Sequence, residues 1–295
     1  HGEPLFKSAA FRGDYSAELG RDISDELFQM YGEIIEDALF WNPKQAVQAG
    51  VEWNDERFNA HSRAIAKAAS IFMMEAGANW SYDRFHYVES ILRENEHRGD
   101  IHLLTCRDID PIKAGTFWSG DIFPWYEQEL VDRVSEDAAK VVEAGNSWPS
   151  HRFAKHSREF GQTLLGSPEE SATAVITWDD ENYQSLEHVI LHTAIKEQHL
   201  LIGVGRDVSD QRFARISAKL FERVAQAPEC IYEVGKVWHP NRLSSLASLP
   251  LHELPAETAY DCLHEWPVEI LGPCAPGLVK ALEDSAFLVN TGSYI

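Results

Sequence analysis

Residues 173–234 read TAVITWDDENYQSLEHVILHTAIKEQHLLIGVGRDVSDQRFARISAKLFERVAQAPECIYEV. Three short apolar runs stand out here, at 173–177, 200–204 and 230–234, each bounded by polar and turn-forming residues in the manner of buried strands. Between them lie 182–197 and 209–227, whose apolar residues recur at three- and four-residue spacing and so predict helices. Strand, helix, strand, helix, strand at this spacing is the order of consecutive crossover units. The expected fold is therefore α/β: a helical N-terminal part followed by β-α-β-α-β crossover units in a largely parallel or mixed sheet.

Upstream of that stretch the pattern is helical. Asp22 and Ser24 precede a run with Leu27, Tyr31, Ile34, Ile35 and Ala38 on one stripe, stopped by Asn42 and Pro43. A second helix is expected from about Asp55 and a third from Ser81, ending at Arg98-Gly99. Residues 101–105 read as one short strand, 115–124 as a Trp- and Gly-rich loop, and 125–144 as a further long helix. A break near Pro149 divides a mainly helical region, 1–148, from an α/β region, 149–295, although the two could pack as one domain. Residues 239–276 read as irregular, and 286–290 as a last strand. No internal repeat is expected.

Composition narrows the function classes. No run approaches the 18 apolar residues of a spanning helix, so a membrane protein is not expected. The net charge is −21, from 47 acidic against 26 basic side chains. Such a field repels phosphate backbones, which argues against general nucleic-acid binding; the charge reads first as a means of solubility or adaptation to salt, and second as an acidic face made for a basic partner. Cys106, Cys230, Cys262 and Cys274 form no CxxC pair and are too sparse for a secreted disulfide framework, so a reducing cytoplasm is expected. The sequence starts at His1, which reads as an expression remnant or a truncation, while a free N-terminal His can also chelate copper.

Two groups of residues could carry chemistry. His188 and His192 are four apart on one predicted helix and share a face, and Glu181, seven residues before His188, lies along nearly the same line. Two imidazoles and a carboxylate suit a divalent ion such as zinc, iron or manganese. The pattern departs from HExxH, and a third ligand from elsewhere would be needed. The second group follows from topology, because ligands of open parallel sheets sit beyond the carboxyl ends of the strands. Asp108 with Arg107 and Asp110, Asp179 with Asp180, and Asp207 with Arg206 would gather there and could hold magnesium against a phosphorylated substrate. Asp179, Asp180 and Ser209 also stand where helix N-caps belong.

Phe11-Arg12-Gly13-Asp14 together with Glu127-Gln128-Glu129 resembles the Arg segment and Glu-x-Glu pair of one class of ADP-ribosyltransferases. The resemblance implies NAD binding at Arg12, with Glu127 and Glu129 as the Glu pair that such enzymes use. The intervening Ser-Thr-Ser element is absent, with only Ser119 nearby. GxSxG, Walker and GxGxxG signatures are missing. Trp118, Trp125, Trp148 and Trp178 fall in or beside predicted loops, where aromatics can line a cleft.

Two functions follow as expectations. The first is an intracellular enzyme, a hydrolase with or without a metal, acting on a small or phosphorylated substrate through Asp108, Asp179, Asp207 and Arg206, with His188, His192 and Glu181 as metal ligands. The alternative is a non-catalytic acidic binding protein, such as an immunity, inhibitor or assembly factor, that engages a basic protein partner. A convergent pocket favours the first, and charge spread over a surface favours the second.

Overall fold

The computed structural model describes residues 15–97, 109–227 and 229–285, and every regular element among them is helical. The expected strands at 101–105 and 286–290 lie outside the described residues, as do His1, Phe11 to Asp14 and Cys106. The helices are α1 (Ser16–Asp22), α2 (Asp25–Trp41), α3 (Pro43–Glu52), α4 (Asp55–Ala69), α5 (Met73–Asn79), α6 (Tyr82–His97), α7 (Pro111–Phe117) and α8 (Phe123–Ser135). They continue as α9 (Ala138–Ser147), α10 (Ser150–Lys155), α11 (Ser157–Leu164), α12 (Pro168–Thr177), α13 (Asp180–Ala194), α14 (Gln198–Asp207), α15 (Asp210–Gln226), α16 (Glu229–Val237), α17 (Ala256–Glu265) and α18 (Val268–Asp284). The chain falls into two compact units, one within residues 1–134 and 147–152, the other within 135–146 and 153–295.

The α/β expectation is therefore wrong: the described residues form an all-helical fold with no sheet. The three runs taken for strands are parts of α12, α14 and α16. Their buried residues show why. Leu201, Val204 and Gly205 in α14, and Cys230, Ile231, Val234 and Gly235 in α16, follow helical spacing. Runs of five residues are too short to distinguish a strand from one turn of buried helix. Residues 125–144 are two helices, α8 and α9, and the region expected to be irregular contains α17 and most of α18. Pro273 and Pro276 stand inside α18, and such residues ordinarily mark a helix end.

The order of helices exposes an internal repeat, contrary to the sequence reading. Each repeat is a short helix ending at an apolar residue, most often a buried Trp, then a capping residue and a longer helical segment, so that Trp148 and Trp178 stand thirty residues apart, as do Val208 and Trp238. The first helices of successive repeats pack on one another, as do the second: α1 on α3 and α2 on α4 in the first unit, α12 on α14 and α11 on α13 in the second. Such units cannot bury their apolar faces alone, and stacking supplies the core.

The repeat boundary is held by a recurring lock. Seven short helices, α1, α3, α5, α7, α9, α14 and α16, carry a Gly three residues before the position where the helix ends, and the indole of the following repeat lies across that Gly. Trp53 covers Gly20, Trp80 covers Gly50 and Trp148 covers Gly115 in the first unit; Trp178 covers Gly145, Trp238 covers Gly205 and Trp266 covers Gly235 in the second. A Cβ at any of these glycines would stand less than 3.0 Å from three indole atoms. The indole N–H then donates to a carbonyl one turn before the Gly, as in Trp178 to Val142 at 3.0 Å and Trp53 to Ala17 at 2.9 Å. Trp118 covers Gly77, but its N–H has no partner. One lock is absent as a pair: Val175 stands where Gly is expected, and Val208 stands in the matching Trp position, both buried.

A second element of the lock is an Arg four residues past the Trp position. Arg84 donates to the Gly50 and Trp53 carbonyls, Arg152 to Gly115 and Trp118, Arg212 to Val175 and Trp178, and Arg242 to Gly205 and Val208, all at 2.6–2.8 Å. These are the orphan carbonyls at the C-terminus of the preceding short helix. Each guanidinium also lies over an aromatic ring of the preceding repeat, such as Phe58 under Arg84 and Tyr183 under Arg212. Asn182 replaces the Arg in its repeat and donates to the Gly145 carbonyl at 2.8 Å.

Candidate functional site

The expected site at strand ends does not form, because there are no strands. Asp108 lies outside the described residues. Asp179 is the N-cap of α13 and accepts from the Asn182 N–H at 2.7 Å. Its neighbour Asp180 pairs with Arg212 at 2.9 Å, and that hydrogen bond holds its carboxyl below the usual range. Arg206 and Asp207, at the exposed end of α14, bond to one another at 2.8 and 2.7 Å, and the guanidinium likewise lowers the Asp207 pKa. Arg21 and Asp22 form the same adjacent pair at the end of α1. A carboxylate held low and paired within its own turn is a weak general base. Asp207→Ala should therefore change stability by no more than about 0.5 kcal/mol, read from a urea melt, as for other exposed surface pairs.

The metal reading is corrected as well. His188 and His192 do share a face, their rings stacked at 6.3 Å with planes 9° apart. Yet no group of three or more His, Cys, Asp or Glu among the described residues could hold a metal ion. Glu181 is exposed in the first turn of α13 and does not line the cavity beside the two histidines. A single helix places two ligands easily, but the third must come from a neighbouring helix, and the sequence pattern carries no signal for that.

Cys230, Cys262 and Cys274 are free and buried, and burial raises all three thiols, Cys262 to about 12. None is suited to act as a nucleophile. Glu127 and Glu129 lie within helix α8, and the Ser119 hydroxyl accepts from the Ile122 N–H at the start of that helix, so neither supports the ADP-ribosyltransferase resemblance.

Concave surfaces among the described residues include one in each unit. In the second unit a cavity of about 490 Å3 opens between α13 and α15, with Leu191 and Ile195 at its base and His188, His192, Lys196, Lys219, Glu222 and Arg223 around it. In the first unit a smaller cleft of about 270 Å3 lies between α6 and α8. Its wall is a ladder of rings: Trp125 stacks on Tyr82 at 4.5 Å, and Tyr82 on His86 at 5.3 Å. Glu89 is buried in this cleft, paired with Arg93 and 3.8 Å from His86. Trp125 is 67% exposed. The cleft was hidden in the sequence because nine tryptophans look alike there. Once the repeat is aligned, only Trp41 and Trp125 stand outside the locking position, and both are exposed.

Architecture sets the class: this is a protein of tandem helical repeats. No family model, curated protein or solved structure matches the chain. No helix among the described residues is long and apolar enough to cross a membrane.

Proposed function

We propose that this chain is a non-catalytic binding protein, working in the reducing cytoplasm, whose acidic helical-repeat surface engages a basic protein partner. The observation that carries this reading is the use made of the residues best placed for chemistry. Asp179, Asp180 and Arg212 cap and join repeats, and the Arg206–Asp207 pair recurs at Arg21–Asp22. What is left for function is surface, and that surface carries the −21 charge. Stacked repeats present extended side-chain rows suited to protein recognition. The enzyme reading has less support, since among the described candidates Asp179, Asp207 and Arg206 do not line the cavity that holds His188 and His192.

The exposed Trp125–Tyr82 stack is the natural anchor, because an arginine or lysine from a basic segment gains ring stacking there. Fluorescence anisotropy with a labelled peptide of alternating arginine and glycine tests this. Saturable binding should weaken steeply between about 50 and about 300 mM salt and fall at least tenfold in Trp125→Ala, with unchanged melting. Absence of saturable binding at the lower salt would sink the basic-partner reading. Full binding by Trp125→Ala would move the contact away from the cleft.

A further inference from the structure

The cavity between α13 and α15 runs against the charge of the whole molecule. In a chain with 47 acidic and 26 basic side chains, it is bordered by Lys196, Lys219 and Arg223, two imidazoles, and a single carboxylate, Glu222. The framework explains part of this set. Arg223 donates to the Ile195 and Lys196 carbonyls at the end of α13, and Lys219 pairs with Glu187 at 3.3 Å. It does not explain His188, His192 or Lys196, which are exposed and form no ion pair among the described residues.

Nor does the repeat demand imidazoles there. The positions equivalent to His188 and His192 hold Glu33 and Asp37 on α2, Arg63 and Lys67 on α4, and Gln128 and Asp132 on α8. Helix α11, which also packs on α13, carries Arg158 and Glu159, and neither lines the cavity. Arg223 already occupies the carbonyls that would otherwise repel an anion at a helix C-terminus.

From these contacts we infer that the cavity is a binding site for a dianionic oxyanion, the group carried by a phosphate ester. Lys196 supplies the uncommitted charge, and Lys219 lines the cavity from its pair with Glu187. Each ring of the stacked His188–His192 pair offers an N–H donor without needing to be protonated, and Leu191 and Ile195 form an apolar base for the body of the ligand. This site is independent of the basic-partner reading: it lies in the other unit and takes the opposite charge.

Sulfate is a suitable probe because it is a dianion of the right shape. Amide chemical shifts of the isotope-labelled chain are followed as sulfate replaces chloride at constant ionic strength. Saturable shifts should cluster on the last two turns of α13 and α15. Lys196→Ala and the double variant His188→Ala/His192→Ala should each weaken sulfate at least threefold, whereas Glu222→Gln should tighten it by a similar factor. All four side chains are exposed, so thermal melts should match the unaltered chain. Shifts scattered over the surface, or one affinity shared by every variant, would overturn the proposal.

Discussion

Replacing Gly145 with valine should destabilise the second unit by about 3–5 kcal/mol, an overpacking cost increased by lost hydrogen bonds. The Trp178 indole lies where even the first carbon of a side chain would stand, and it is a rigid, buried ring with no flexible end to yield. Displacing it breaks its bond to the Val142 carbonyl and its edge contact with Phe153 at 4.9 Å. The gain in helix propensity on leaving glycine is at most about 1 kcal/mol and does not offset this. The chain contains the compensated form of the same pair, since Val175 and Val208 replace Gly and Trp together. Adding Trp178→Val to Gly145→Val should therefore recover stability, with a coupling of at least about 2 kcal/mol in a urea-denaturation double-mutant cycle. Additive losses would mean that the two residues do not form one lock.

Arg212→Ala should cost about 3–5 kcal/mol, in the range for breaking a buried charged network on one side. The guanidinium is 5% exposed, donates to the Val175 and Trp178 carbonyls and to Asp180, and lies 4.3 Å from the Tyr183 ring centre. Removing it leaves two helix-end carbonyls without a donor. Arg212→Lys should recover only part of the loss, because one ammonium cannot reproduce a fork that reaches two carbonyls and a carboxylate. The pH dependence has a definite sign. The Asp180 carboxyl is held below its unfolded value, so its contribution is complete above about pH 4 and disappears as the pH falls through the lowered value. The advantage of the native chain over Arg212→Ala should narrow in acid, and only slightly, since Asp180 is 44% exposed. An equal melting temperature for the alanine variant would show that the network contributes nothing.

The candidate site was legible only in part. The shared face of His188 and His192 follows from four-residue spacing, and the structure places both on one cavity. The cations opposite them, Lys219 and Arg223, belong to a helix one repeat later, so no local pattern joins the two sets. Asp179 illustrates the reverse case: the same residue type in the same place reads as catalyst or as cap, and only its hydrogen bond to the Asn182 N–H decides between them.

Within the helices, the sequence alone determined what depends on near neighbours. Ser24, Asp55, Asp179 and Ser209 mark helix starts that the structure keeps, and the stripes of α4, α6, α13 and α15 lie where their three- and four-residue spacing puts them, whereas α2 buries Phe28, Gly32, Ile35 and Leu39 and leaves the expected Leu27 exposed. The short helices and the repeat were decided by tertiary structure. Runs such as 200–204 are too brief to nucleate a helix independently, and this one is held as a helix where the indole of Trp238, from the following repeat, closes over Gly205. The Trp, Gly and Arg of the lock were visible in the chain from the start, but each acts on the neighbouring repeat and not on its own segment, so their meaning appears only when the repeats are stacked.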